Sequence, residues 1–271
     1  MNAPETVALN EAAAPVETVR PMRDRDIEPL VRQVVEALEE DIVFGYLHPR
    51  ERLVEDDLRA RFNLKRHVVR QVLGELEQMG LIERKKNIGA LVKSYTVKEV
   101  IDLYTVRDIL ETNCARQIPL PVPPEKLAEL ETIQRQHDAA VAASDLRTAF
   151  RVNIAFHKAL FALSDNAALT EMIEVAAQRA HTIRSQSMVF PHFLEKARLD
   201  HWGMIEALRA CDQEKLVALC RDHLLPSRDA YIEQEMRRAG KPLATHAATS
   251  VAAAMNAAPP AGAAAPLSPQ A

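Results

Sequence analysis

From residue 97 to 239 the apolar positions recur only at helical spacings. Short breaks interrupt them at Pro119 to Pro124, Ser144-Asp145, Ser164 to Asn166, Phe190-Pro191 and Cys211-Asp212. These breaks predict helices over 97–118, 123–143, 145–163, 166–188, 192–210 and 213–238, with Asp145, Asp165 and Asp212 as N-caps. Six helices of this length pack as an antiparallel bundle able to enclose a small cavity. The composition agrees: 7 glycines and 4% aromatics in 271 residues argue against an all-β sandwich and a glycine-rich nucleotide fold.

Residues 28 to 94 follow a different order. Leu30, Val34, Leu38 and Ile42 mark a first amphipathic helix, which Gly45 to Pro49 ends. Glu55, Asp56 and Asp57 open a second, short helix whose apolar face is Val54, Leu58 and Phe62. After the turn at Asn63-Leu64, a third helix buries Val69, Val72, Leu73 and Leu76 and stops at Met79-Gly80. Leu81 to Arg84, Lys85 to Gly89 and Ala90 to Val92 read as strand, turn and strand. This order is a winged helix-turn-helix. The expected fold is therefore mainly α: an N-terminal winged helix-turn-helix with a small β-hairpin wing, then an all-α six-helix antiparallel bundle. The expected domains are 25–95 and 96–239, hinged at Lys93 to Val97. A flexible arm over 1–24 and a disordered Ala/Pro-rich tail over 240–271 flank them.

Net charge is −4, but its distribution is uneven. From Arg59 to Lys93, nine cations face three acids, a local balance of +6. Such a stripe neutralises phosphates and releases counterions. Arg66 and Arg70 stand four apart, on one outer face with His67. Two guanidinium forks at a helix N-terminus suit guanine edges in a major groove. Lys65 and His67 can reach phosphate or base edges. Lys85, Lys86 and Asn87 at the wing tip suit an adjacent minor groove or the backbone, with Gly89 permitting close approach.

The stretch ERLVEDDLRARFNLKRHVVRQVLGELEQMGLIERKKNIGALV resembles the DNA-binding domain of GntR-superfamily transcription regulators. The resemblance implies that Arg66 and Arg70 are the recognition-helix arginines. Lys65, His67, Val68 and Gln71 replace the family's usual residue types, and Arg50 stands where its turn usually carries glycine, which implies a different operator half-site.

In the second region, His157 lies four residues after Asn153, and His201 and His223 lie on later segments. Three imidazoles on three helices can converge on a borderline divalent ion such as Zn or Ni, although isolated histidines are also ordinary core residues. YTVRDILE, FHKALFALSDNAAL and HWGMIEALRACDQEKLVALCRDHL resemble, in order, the FCD-type effector domain of FadR-like GntR regulators. That resemblance implies a metal site at Asn153, His157, His201 and His223, with Asn153 replacing an aspartate. It also implies a small carboxylate effector, not a long acyl chain. Arg107 is implied as a carboxylate-binding residue, and an ion pair with Glu111 is the alternative. Arg151 and Arg184 are possible cavity residues, and Trp202 is read as packing.

Together these readings describe a cytoplasmic homodimeric regulator, expected to repress, that binds a pseudo-palindromic duplex operator. Cys114, Cys211 and Cys220 read as reduced, buried thiols. No secretory leader is seen at Met1 to Val19. No apolar run reaches the roughly 18 residues of a membrane span. The rivals are an architectural DNA-binding dimer without effector and a metal-dependent hydrolase. The hydrolase lacks an HExxH motif and a glutamate placed as general base.

Overall fold

A computed structural model describes residues 24–184, 187 and 190–239. The expected N-terminal arm and C-terminal tail lie outside the described residues, apart from Asp24. The element order is α1 (Asp24–Val43), β1 (Arg52–Leu53), α2 (Glu55–Phe62), α3 (Arg66–Gln78), β2 (Ile82–Lys85) and β3 (Gly89–Val92). There follow α4 (Val97–Gln117), α5 (Pro124–Ala142), α6 (Leu146–Ala162), α7 (Ala167–Arg179), α8 (His181–Arg184), α9 (Pro191–Arg209), α10 (Gln213–Asp222) and α11 (Leu225–Arg238).

The winged helix-turn-helix forms as its sequence pattern requires. α3 buries Val68, Val69, Val72, Leu73 and Leu76 against Val34, Leu38 and Ile42 of α1. Its opposite face, with Arg66, His67 and Arg70, stays exposed. Asn63 ends α2 in the left-handed region, which an asparagine tolerates at little cost. The wing contains an extra strand: β1 pairs antiparallel with β3, giving the order β1-β3-β2. β2 and β3 pair from Ile82↔Val92 to Lys85↔Gly89. A two-residue strand carries no periodicity, so its sequence offered no signal.

The bundle departs from six helices. Among the described residues it has eight helical segments, because two expected helices are broken. The expected 166–188 helix stops at Arg179, whose carbonyl accepts from the Tyr95 hydroxyl at 3.2 Å, and the chain resumes as the single turn α8. The expected 213–238 helix breaks at His223-Leu224, because Pro226 at the start of α11 has no N–H to donate to the preceding turn. The α7 N-cap is Asn166, which accepts from Leu169 N at 3.1 Å, whereas Asp165 sits at φ 52° just before it. Asp145 and Asp212 cap α6 and α10 as expected. Cys114 and Cys220 are buried on helices, but Cys211, expected to be buried, is exposed because it lies in the turn between α9 and α10.

The segment expected to hinge is pinned. Tyr95 is buried, and its hydroxyl also lies 3.4 Å from the Gly80 carbonyl. Its backbone N donates to the Tyr231 hydroxyl at 3.0 Å. Gly80 has φ 74°, and a Cβ there would lie 3.0 Å from Arg179 Cγ, so glycine favours the close approach of the end of α3 to the end of α7. A second junction joins α1 to the bundle. Val43 packs with Phe150 and Leu194. Glu39 and Glu40, both buried, receive Arg151, Arg147 and His181 from the bundle.

Candidate metal and effector site and the DNA-facing surface

α6, α9 and the end of α10 bring His157, His201 and His223 together, with one ring nitrogen from each within 4.8 Å of the others. Two of the rings are oriented from behind. Gln134 Nε2 donates to Asp138 Oδ1 at 2.8 Å, which fixes its amide. Gln134 Oε1 therefore accepts from His201 Nδ1 at 2.8 Å and leaves the His201 Nε2 lone pair facing inward. That Nε2 is buried and has no partner among the described residues. His223 Nδ1 donates to Asp200 Oδ2 at 3.1 Å, and its Nε2 lies 3.1 Å from His157 Nε2. The His201 and His223 Nε2 lone pairs face the site beside His157, and three imidazole nitrogens so grouped match a tetrahedral ion with an open position.

Electrostatics reinforces this. Burial, joined by the positive charge of neighbouring Arg184, holds His157 well below the ordinary range. Burial does the same for His201, and His137 is pushed down to about 4, again mainly by burial. Neutral imidazoles are the ligand form. Burial opposes ionisation of Asp200, but the hydrogen bond from His223 and the charge of Lys196 outweigh it and keep the carboxyl below its usual range.

Asn153 lines the same pocket. With its amide oxygen turned to satisfy the surrounding donors, it accepts from Arg184 Nη1 and Nη2 at 3.3 and 2.9 Å. Arg107 makes the ion pair with Glu111 that was its alternative reading. Its Nε pairs with Glu111 at 2.9 Å in a buried contact, and the same residue lines the pocket with Asn153, His157 and Arg184. Arg184 has no acidic partner among the described residues. Burial, together with the adjacent Arg107 charge, lowers it to about 10. A cavity holding an unneutralised arginine is arranged for an anion.

Arg184, named as a possible cavity residue, does line the pocket, whereas Gln134, Asp138 and Asp200 were not singled out. Asp200 adjoins His201 in sequence, and Gln134 and Asp138 are four apart, but only the packing of α5 on α9 brings the pairs together. Trp202, read as packing, donates Nε1 to Asp138 Oδ2 at 2.9 Å and so extends the support behind His201. The carboxylates nearest the cluster are already engaged, Asp200 by His223 and Lys196 and Glu111 by Arg107.

On the other domain, Lys65, Arg66, His67, Arg70, Lys85, Lys86, Asn87 and Gly89 are all exposed. Asn87 and Gly89 have positive φ, which bends the wing tip. Acids outside the basic window fold back on it. Glu55 Oε2 lies 3.5 Å from Arg70 Nε and 4.0 Å from Arg66 Nε, and Asp41 pairs with Arg61 at 2.6 Å. Solvent-exposed pairs of the Glu55 kind are worth under about 1 kcal/mol. A bidentate arginine–guanine contact is worth about 1–3 kcal/mol, so DNA can displace them. Lys65, His67 and Lys86 have no ion pair among the described residues.

The comparisons with known proteins agree with both halves. The model of bacterial regulatory proteins of the gntR family matches residues 30–92, and the FCD domain model matches 102–225. The chain is 25% identical over 199 residues to the HTH-type transcriptional repressor RspR of Escherichia coli (strain K12), covering 73% of this chain and 86% of that protein. It is 26% identical over 187 residues to the HTH-type transcriptional regulator YdhC of Bacillus subtilis (strain 168), covering 69% and 84%. The solved structure of E. coli McbR/YncC superposes with a TM-score of 0.64 at 21% identity, covering 76% of this chain and 98% of that one. These families and relatives are transcription regulators, not enzymes, and no helix among the described residues is long and apolar enough to cross a membrane. With both its DNA-binding and its effector halves matched, the chain belongs to the GntR family of transcription regulators and carries an FCD effector-binding domain.

Proposed function

We propose that this chain is a cytoplasmic, homodimeric repressor whose operator affinity is set by a small carboxylate bound beside a divalent ion, Zn or Ni. The proposed domain limits are 25–95 for DNA binding and 96–239 for effector binding and dimerisation. The observation that carries the reading is the buried, unpartnered His201 Nε2 aimed at His157 and His223 beside the uncompensated Arg184. His157, His201 and His223 would hold the ion. The ion would supply Lewis-acidic attraction for one carboxylate oxygen. Arg184 would receive the other oxygen and Arg107 would flank it, while Asn153 keeps the Arg184 guanidinium in place.

Control needs a ligand that prefers one domain arrangement. α8 offers the lever: Arg184 ends it, and His181 begins it with Nδ1 on Glu39 of α1 at 2.8 Å. A carboxylate drawing on Arg184 shifts this single turn and so the grip on α1. A coupling of about 1–3 kcal/mol changes operator affinity by about 5–150-fold. Repression is supported by the naming of the E. coli relative as a repressor. Dimerisation is supported by Ile101, Val106 and Ile109 of α4, which are 47, 47 and 60% exposed, an apolar patch suited to a second copy. Two recognition helices would then read half-sites about one helical turn apart.

Elemental analysis of the purified protein tests the reading. About one divalent ion per chain is expected, absent from a folded His201→Ala variant that no longer releases operator on addition of small carboxylates. A metal-free wild type that still responds to carboxylates would overturn it.

A further inference from the structure

The pairing of β1 with β3 changes the charge map of the wing. It sets Arg52 opposite Leu91, on the sheet face that Leu91 shares with Gly89 and, across on β2, with Lys85. From there the Arg52 side chain runs to the wing tip. Its Nε lies 3.7 Å, and its Nη2 4.0 Å, from the point where a Cβ on Gly89 would stand. Gly89, at φ 100°, leaves that space to the guanidinium. Arg52 lies outside the basic stretch from Arg59 to Lys93, and only the strand pairing brings it to the tip.

Two other cations of the hairpin are held within the domain. Arg84 Nε pairs with Glu77 at 3.2 Å and its Nη2 donates to the Arg70 carbonyl at 3.3 Å, while Lys85 Nζ pairs with Glu83 at 2.8 Å. Arg52 is exposed and, like Lys86, has no acidic partner among the described residues. A guanidinium lying against a glycine keeps the tip slim, and a DNA minor groove is only about 6 Å wide. Arginine is donor-only. A·T pairs show the minor groove only acceptors, whereas G·C pairs add the guanine amino donor. A guanidinium is also less strongly hydrated than an ammonium, so it gives up water for a narrow groove at lower cost.

We infer that Arg52 is a DNA-reading residue, which enters the minor groove with the wing tip and favours A·T pairs there. The inference rests on the reading of the wing tip as a DNA contact. It adds a sequence preference in a second groove, supplied from β1 and not from the recognition helix.

Anisotropy titrations of the full-length protein test this. The probe is a duplex selected from a random-sequence library, remade with the base pairs adjoining each half-site all A·T, all G·C or all inosine·C. Inosine lacks the guanine amino group, so the third duplex joins the major-groove edge of G·C to an A·T-like minor groove. The A·T and inosine·C duplexes should bind about tenfold tighter than the G·C duplex, a difference of about 1.4 kcal/mol. Arg52→Gln should bring the three together and lower the salt slope by about 1. Arg52→Lys keeps the charge, so it should hold the salt slope and lose most of the preference. An inosine·C duplex that binds like G·C, or an equal loss on all three duplexes in Arg52→Gln, overturns the minor-groove contact. Arg52→Gln without effect, where Lys86→Ala weakens binding, overturns the inference and leaves the wing contact standing. No effect of either overturns both.

Discussion

Replacing Arg151 by methionine should uncouple the two domains. Arg151 Nη1 lies 2.6 Å from Glu39 Oε2 and its Nε 3.1 Å from Glu40 Oε1. Both carboxylates are buried, at 5 and 8% side-chain exposure. Removing one partner of a fully buried pair costs about 3–5 kcal/mol. Arg151 is one-third exposed, and Glu39 and Glu40 keep His181 and Arg147, so solvent screening and the remaining partners reduce the loss to about 1–3 kcal/mol. Methionine retains the apolar stem, which isolates the charge. A double-mutant cycle with Glu39→Gln should return a coupling of roughly 1–2 kcal/mol. Urea unfolding provides the assay, because Trp202 is the single tryptophan and its fluorescence reports the bundle alone, whereas far-ultraviolet dichroism reports both domains. The two curves should coincide in the wild type and separate in Arg151→Met. Coincident curves together with additive single effects would refute the idea that this clamp joins the domains.

The pH dependence of the same clamp has a defined sign. Burial holds His181 below its ordinary 6.5, although Glu39 partly offsets it. Burial raises Glu39, but His181 and Arg151 outweigh it and leave the carboxyl below its ordinary 4.5. In both cases the unfolded chain takes up its proton at a higher pH than the folded one. Stability is therefore complete above about 6.5 and declines as pH falls, first through His181 and then through Glu39. Glu39→Gln should flatten the part of that decline below about 4.5.

Further outcomes follow from other parts of the molecule. Arg66→Ala or Arg70→Ala should cost about 1–3 kcal/mol on an operator selected from random duplexes and relax preference at one base pair; an equal loss on every duplex in anisotropy titrations would reduce these side chains to phosphate contacts. Gln134→Leu removes the acceptor behind His201 and should lower metal affinity about 10–100-fold in chelator competition, and unchanged affinity would deny it an orienting role. Gly80→Ala, at φ 74° and against Arg179, should lower stability by about 1–2 kcal/mol in thermal melts, and Arg179→Ala should recover only the steric share. Ile109→Glu should shift the sedimentation of the protein from dimer to monomer, and an unchanged dimer would move the interface elsewhere.

The winged helix-turn-helix and the helical bundle were legible along the chain because each rests on spacing, whereas the histidine set was implied by the family resemblance. Val69, Val72, Leu73 and Leu76 repeat with the helix, so they bury one face and leave Arg66 and Arg70 outside whatever else the chain does. The same periodicity could not locate the break at Ala180, which depends on a tyrosine hydroxyl from a distant segment, nor the short β1, which exists only through pairing with β3. It could not separate the roles of Asn153 and Arg184 either. Those depend on which buried donor finds which acceptor, a matter settled by packing between helices far apart in sequence. Local chemistry along the backbone determined the elements and the faces they bury. Only the tertiary arrangement decided that three imidazoles from separate helices would converge beside an arginine without an acidic partner, because desolvation and charge pairing act through space and not along the chain.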